Sequence, residues 1–457
     1  MSTRRSFLQS VGAVGGLSLI SPLLGSAQRP ARAAKAKYMG DFAAPKLPTV
    51  KCAFIGVGAR GSGHCNDIGK IPGTKIVGVC DLHKSLAERL VKGAKAKGHV
   101  GAKAYFGGPK EYLRMLKETK PDAVFISTNW NAHAEHCIES MKAGAHAFCE
   151  VPIAVTIDEM WNIVDTSEAT GKHCMMMENV NYGADELLFL NMCRKGLLGE
   201  LLHAEAAYIH SLRGQMNQVK RGTGSWRTYH YARRNGNLYP THGLGPVAQY
   251  MNLARTEDTF ESIVSYSTPA IGRAAYARKK FPADHKWNKL EFKGGDLNTS
   301  IIKTKLGRTI MVQWDETSPR PYSRHNLIQG TKGTLAGFPT RIAVEGLCNA
   351  HRWLEKSAKE FKDKTKDLAH PLIKRLQDKV NKLGLKGHGG MDGMMRMRII
   401  ECLQEGLPLD QNLYEGCFWS AVGPLSEKSV AQGGAPQAFP DFTRGQWKTT
   451  KPLSVDI

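Results

Sequence analysis

Short apolar runs alternate with helix-patterned segments from Val50 to about residue 175. The strand-like runs are CAFIGV (Cys52–Val57), KIVGVCD ending in Asp81, DAVFIST (122–128) and HAFCE (146–150), with a short segment near Tyr105. Helix patterns fill the gaps at about 84–97, 109–119 and 132–143, and IDEMWNIVDTSEATG ends at Gly171. Short apolar strands alternating with helices predict a parallel, doubly wound sheet. KHCMMM adds a last strand, which opens into a polar loop holding Glu178, Asn179 and Tyr182.

Beyond that point the texture changes. ADELLFLNMCRKGLLG reads as a helix, while LLHAEAAYIHSL, ESIVSYST, TSIIKTKLGRTIMVQWDE and NLIQGTKGTLAGF alternate as strands of an antiparallel sheet do. LGR in the third run is the expected hairpin turn. The stretch WRTYHYARRNGNLYPTHGLGP (226–246) is expected to be a loop. Its Trp, Arg, Tyr and His content marks it as functional, since loops carry function more often than scaffold does. In the Lys-rich stretch 352–386, Leu372, Leu376, Val380 and Leu383 recur at helical spacing and predict a surface helix.

The first chemical signal follows the first strand. Gly56, Gly58 and Gly61 stand in GxGxxG spacing, with Ala59 and Arg60 between them. Such glycines permit a tight turn and close backbone approach to a pyrophosphate, on which the next helix directs its N-terminus. Asp81, at the end of the second strand, is placed to accept from a ribose diol and to repel a 2′-phosphate, favouring NAD over NADP. Arg60 is a candidate pyrophosphate or adenine-side contact. Ligands in such sheets lie beyond the carboxyl ends of the strands. Glu150 and the segment Asn129–His133 stand at two of those ends, which directs Glu150 toward the nicotinamide; the rival reading is a loop carboxylate capping a neighbouring helix.

The expected fold is therefore α/β, an N-terminal doubly wound parallel-sheet (Rossmann) domain over 49–175. An α+β domain with a mainly antiparallel open sheet follows over 176–457, its final segment packing back on the first domain. Residues 1–33 read as an export signal and 34–48 as a linker. Paired Arg4 and Arg5 precede Phe-Leu and a weakly apolar, Gly-rich run from Val11 to Leu24, with Ala31-Arg32-Ala33 as a cleavage site. The run is too short and Gly-rich to span a bilayer, and it resembles a twin-arginine signal to the periplasm, a route that carries folded proteins.

Composition narrows the reading further. In 457 residues, 42% hydrophobic content is globular, and the net charge of +22 lacks any nucleic-acid-binding motif, so a solvated basic surface is expected. The ten cysteines show no metal-ligand spacing and read as structural thiols. His133 and His136 lie one helical turn apart, but no third ligand accompanies them, so no metal is expected.

The glycine loop, Asp81, NWNAH and Glu150-Val151-Pro152 resemble the glucose-fructose oxidoreductase/inositol dehydrogenase superfamily. Most of its dehydrogenases have Glu-Lys-Pro there; this chain has Val151 in place of the lysine. That departure, with MMMENVNY, GLLGELLHAEAAYIH, YPTHGLGP and HGGMD (388–392), resembles glycoside hydrolase family 109, NAD-dependent α-N-acetylgalactosaminidases. The resemblance implies NAD contacts at Ala59, Arg60, Asp81, Trp130, Asn131, Ala132, His133, Glu150, Val151 and Asn179. It implies sugar contacts at Tyr208, Arg227, Tyr239, Pro240, Thr241, His242 and Tyr322. Glu178, Tyr208, Tyr239 and His242 would surround the reacting carbons, and His388 and Asp392 are further candidates that line the cleft or cap a helix. Ser211 stands where many relatives have Asp.

The activity implied is hydrolysis of α-linked N-acetylgalactosaminyl glycans with no net NAD consumption. Hydride leaves C3, the C2 proton and the aglycone are lost, water adds, and the hydride returns. Such enzymes are exceptions to the two-carboxylate rule. Rival readings are an NAD-dependent sugar dehydrogenase and a sugar-binding protein that retains NAD without catalysis. Family likeness also implies a homodimer through the open face of the second sheet.

Overall fold

The apolar runs of the first domain form one sheet in this computed structural model, which describes Arg29, residues 31–349 and residues 351–453. The export signal expected over 1–33 lies almost wholly outside the described residues. β1 (Val50–Ile55), β2 (Thr74–Cys80), β3 (Lys103–Tyr105), β4 (Ala123–Ile126), β5 (His146–Cys149) and β6 (Cys174–Met176) pair in the order β3-β2-β1-β4-β5-β6. Every pairing is parallel. Both faces are covered by helices, so β4 and β5 are buried at every position. Phe54, Phe125 and Phe148 stack across three adjacent strands with centroids 5.4 and 5.1 Å apart, each ring contributing about 1.5–3 kcal/mol by burial.

The covering helices are α1 (Ala59–Ile68), α2 (Lys84–Ala96), α3 (Glu111–Thr119), α4 (His133–Lys142) and α5 (Ile157–Thr170). Strand order reverses between β1 and β4. There the carboxyl ends of both strands open a crevice with α1 on one side and a single turn, Trp130–Ala132, on the other.

The second domain begins with α6 (Ala184–Arg194) and β7 (Leu201–Ile209). The stretch read as a loop is instead largely two helices, α7 (Thr223–Arg233) and α8 (Thr241–Tyr250), joined by residues 234–240. Gly224, Arg227, Thr228, Tyr231 and Ala232 form the buried face of α7 at helical spacing. Two of these are polar, which hid the period, and the glycines and Pro246 of α8 imitate loop punctuation. The remaining elements are β8 (Phe260–Ser267), α9 (Gly272–Lys280), β9 (Asn298–Thr304), β10 (Thr309–Asp315), β11 (Leu327–Gly330), β12 (Gly333–Ala336), β13 (Arg341–Val344) and β14 (Leu354–Glu355). They are followed by α10 (Lys359–Thr365), α11 (Pro371–Lys382), α12 (Met391–Glu405), α13 (Leu413–Ala431) and β15 (Gln437–Ala438).

These strands form a nine-stranded sheet, β14-β13-β12-β11-β7-β10-β9-β8-β15. It is antiparallel except where β10 runs parallel to β7, and β9 and β10 form the hairpin around Leu306–Arg308. Helix α11 buries Leu372, Leu376 and Val380 against α12 and leaves its lysines outward. Helix α12 packs on α1, and α13 on α5 and β6, so the C-terminal third returns to the first sheet. The segment read as a linker also lies on the body: Leu47 donates its amide to Leu403, and Met39 to the Tyr414 hydroxyl. Arg32 pairs with buried Glu168 at 2.8 Å, so residues that cleavage at Ala31-Arg32-Ala33 would remove make ordered contacts.

Burial pushes His136 and His146 down to about 4, with His133 and Lys172 respectively adding repulsion. Both are neutral when folded, whereas the unfolded chain protonates them near 6.5, so it binds more protons below that pH. Stability should therefore fall between about pH 6.5 and 4, by up to about 1.4 kcal/mol per pH unit per histidine. Calorimetry across that window should show the melting temperature dropping; a flat profile would contradict the assignment.

Candidate active site

Two of the three glycines are demanded by the fold and one is not. Gly56 has φ +78°, and a Cβ there would meet the Ser127 carbonyl oxygen at 2.8 Å. A Cβ at Gly61 would lie 2.0 Å from the Gly56 oxygen. At Gly58 a Cβ would meet nothing within 4 Å, and its φ of −64° suits any residue. The open space lies over the start of α1, which has no side-chain cap, so its first-turn N–H groups face it. Close by, the buried Ser127 hydroxyl and Asn179 Oδ1 have no partner among the described residues. At the end of β2, Asp81 accepts from the amides of Val57 and His83, both at 2.8 Å. Helix-end donors, an open glycine and an oriented carboxylate fit a dinucleotide.

Glu150 leaves β5 at the crevice. Its Oε1 accepts from Arg60 Nε at 2.5 Å and lies 2.7 Å from His64 Nε2. Arg396 Nε donates to His64 Nδ1 at 3.0 Å, which fixes the proton on Nε2 and makes His64 a donor to Glu150. Burial raises the Glu150 pKa, but the charge of Arg60 and the bond from His64 outweigh it and hold the carboxyl well below its usual range. Glu150 is thus a fixed anion rather than a proton shuttle. Val151 is buried behind it, and His133 braces the turn, its Nδ1 lying 2.7 Å from the Pro152 carbonyl oxygen.

Arg60 also reaches Asp392 on α12, through Nη1 at 2.5 Å and Nη2 at 3.0 Å. Asn179 donates to the same carboxylate at 2.8 Å, and His388 Nδ1 lies 2.9 Å from it. Asp392 and His388 therefore line the crevice.

A second cluster stands across from Glu150. Glu178 is fully buried; its Oε1 accepts from His242 Nδ1 at 2.7 Å and from the Val180 amide, while Oε2 has no partner among the described residues. The carboxylate fixes the proton on Nδ1, leaving Nε2 of His242 as a basic lone pair. Tyr208 and Tyr239 pack with ring centroids 4.7 Å apart and planes tilted by 34°, and both meet the His242 ring edge-on at about 5 Å. Burial raises both phenols well above their usual range, so each is a neutral donor. Tyr322 closes the rim, 40% exposed. Pro240 and Thr241 begin α8, and the buried Thr241 hydroxyl has no partner among the described residues.

Glycines place this helix. A Cβ at Gly243 would lie 2.3 Å from the Ala207 nitrogen, and one at Gly245 3.1 Å from Glu178 Cγ, so α8 rests directly on β7 and beside Glu178. Arg227 links the clusters: its guanidinium sits 4.7 Å from the Trp130 ring and 5.0 Å from Tyr239, with Glu316 accepting from Nη1 at 3.2 Å. Trp130 is buried against Trp226, His230 and Tyr239, whereas Asn131 is exposed and Ala132 half-buried.

Sequence reasoning did not single out His64, Arg396, His210 or Glu316. His64 follows Arg60, and Arg396 follows Asp392, at i,i+4, which was legible as shared helix faces. His210, edge-on to Tyr322 and with an Nδ1 that has no partner among the described residues, adjoins the named Tyr208. Nothing local marks Glu316, whose partners come from α7.

Residues 50–178 match the oxidoreductase family with an NAD-binding Rossmann fold, and residues 182–449 match the C-terminal domain of glycosyl hydrolase 109. Glycosyl hydrolase family 109 protein 1 of Akkermansia muciniphila is 57% identical over 99% of both chains. A Shewanella oneidensis protein named alpha-N-acetylgalactosaminidase is 48% identical, over 99% of this chain and 98% of its own. Among solved structures, levoglucosan dehydrogenase in complex with NADH and levoglucosan superposes with a TM-score of 0.65 at 16% identity, covering 86% of this chain and 100% of that one. An NAD-binding oxidoreductase from Klebsiella pneumoniae gives 0.64 at 15%, covering 86% and 99%. These two likenesses concern the fold.

Gly58→Val should separate packing from ligand binding. The melting temperature of the ligand-free protein should stay within a few degrees, while NAD affinity falls by at least about tenfold. Gly61→Ala should instead lower stability by about 1–3 kcal/mol. NAD affinity unchanged in Gly58→Val, measured by fluorescence titration, would remove the glycine loop from the site.

Proposed function

The chain belongs to glycosyl hydrolase family 109, a glycoside hydrolase built on an NAD-binding Rossmann domain, and from that premise we propose that it removes terminal α-linked N-acetylgalactosamine by reversible oxidation of the sugar. The observation that carries this reading is the Glu178–His242 pair, a base held by a buried carboxylate beside two neutral phenols. The glycine loop, Asp81, Glu150 and Asn179 are the residues that would hold NAD. When bound, NAD supplies a hydride acceptor, and later donor, for C3 of the sugar.

The chain's own groups then handle protons. His242 Nε2 takes the proton of the O3 hydroxyl as C3 becomes a carbonyl. That carbonyl acidifies the C2 proton, and Glu178 Oε2, buried and unpartnered, accepts it. Expulsion of the aglycone from C1 needs a proton at the leaving oxygen, which Tyr208 or Tyr239 donates as a neutral phenol. Water then adds at C1 and gives its proton back to the phenolate, and return of the other protons to C2 and O3 restores the protein, so one water is consumed per bond cleaved. Arg227, wedged among Trp130, Trp226 and Tyr239 and anchored by Glu316, orients the sugar. Glu150, held as an anion, carries no proton and instead sets the charge beside the cofactor.

We also infer export through a twin-arginine leader and assembly as a homodimer through the open face of the second sheet; cell fractionation and the mass in solution test the two separately.

Purified enzyme should release the aryl group from an aryl α-N-acetylgalactosaminide with no added nicotinamide and no net rise in absorbance at 340 nm. His242→Ala should lower that rate by about 10²–10⁴-fold while the NAD content per chain is unchanged. NADH accumulating without aryl release would make the chain a sugar dehydrogenase instead.

A further inference from the structure

We propose that Asp392 is a positioning residue for the cofactor: from the first turn of α12 in the second domain, its carboxylate sets the orientation of Arg60 and Asn179 toward the dinucleotide. The inference rests on the reading that the first domain holds NAD. Arg60 comes from the glycine loop and Asn179 from the turn after β6, and among the described residues Asp392 is the side-chain hydrogen-bond partner that the two share. One oxygen, Oδ1, accepts from both, at 3.0 Å from Arg60 and 2.8 Å from Asn179.

The carboxylate is itself tightly held. It is 1% exposed, with His388 at 2.9 Å and Arg396 at 3.4 Å on its other oxygen. A Cβ at Gly387 would lie 2.2 Å from that oxygen, so the preceding turn has no side chain where the carboxylate passes. With Nε on Glu150 and both terminal nitrogens on Asp392, most of the hydrogen-bonding edge of Arg60 is committed. What remains to a ligand is its planar face, which suits stacking, and a positive charge held in one place. Asn179 is left with its Oδ1, buried and unpartnered, as an acceptor in a fixed direction. Without Asp392, Arg60 would retain Glu150 and a contact of 3.2 Å with Nδ1 of His388, a residue that Asp392 itself holds, and the Asn179 amide would be free to rotate.

The test compares wild type, Asp392→Asn and Asp392→Glu as full chains. NAD retained after dialysis and the affinity for re-added NAD are measured by fluorescence, and aryl release is measured at saturating NAD. Asp392→Asn should weaken NAD binding by at least about tenfold and leave kcat at saturating NAD within about threefold, and Asp392→Glu, which restores the charge, should recover part of the affinity. A purely structural role would lower the melting temperature of the ligand-free protein without moving NAD affinity, and that result would overturn the proposal. Should Asp392→Asn fail to fold, Asp392→Glu decides alone, since lengthening the side chain must still weaken NAD binding by several-fold. Wild-type protein that holds no NAD would sink the cofactor reading, whereas wild type and both variants holding it equally would sink only the role of Asp392.

Discussion

A guanidinium held between two carboxylates joins the halves of this molecule. Arg60 leaves the glycine loop at the mouth of the parallel sheet, takes Glu150 from the end of β5 and Asp392 from a helix of the second domain. Removing Arg60 would leave two carboxylates, Glu150 and Asp392, facing each other largely away from water without the charge that holds them. The same contact fixes the ionisation of Glu150, whose carboxylate could otherwise rise in pKa on burial and exchange protons with a substrate. The first sheet thus provides a fixed electrostatic wall, and in the proposed mechanism proton transfer falls to groups on the second domain.

Those groups are positioned by small residues. Gly243 and Gly245 let α8 sit against β7 closely enough to bring His242 to Glu178, and β7 itself delivers Tyr208. The parallel pairing of β10 with β7 places Glu316 just past the end of β10, where it anchors Arg227. His242, Glu178 and two phenols of raised pKa are thereby clustered, and in the proposed mechanism hydride chemistry is left to the cofactor. That division accounts for Val151: a lysine there would add a second titratable cation beside Glu150, whereas the valine is buried in the core.

The parallel sheet was legible because its strands are short, continuously apolar and separated by helix periods, and because GxGxxG has a backbone reason at Gly56 and Gly61 and leaves open space at Gly58. The α7–α8 region was misread as a loop because its buried face includes Arg227 and Thr228, and polar residues on an inner face erase the amphipathic signal. Glycine and proline in α8 signify close approach to β7 rather than a turn. The residues named from the family motifs, Tyr208, Tyr239, His242 and Glu178, are brought together. Their supports were harder to find: Arg396 and Glu316 act on partners far away in the chain, and no local pattern records such a pairing. The direction of β10 relative to β7 is likewise a tertiary fact that alternation cannot encode.

The central claim is that the glycosidic bond breaks after oxidation at C3 and loss of the C2 proton, not by displacement between two carboxylates. Hydrolysis in deuterium oxide, with the released sugar read by proton NMR, tests it most directly. The account predicts deuterium at C2, from solvent returned through the protein's bases, and none at C3, where the original hydrogen comes back. A released sugar with ordinary hydrogen at both carbons would contradict it.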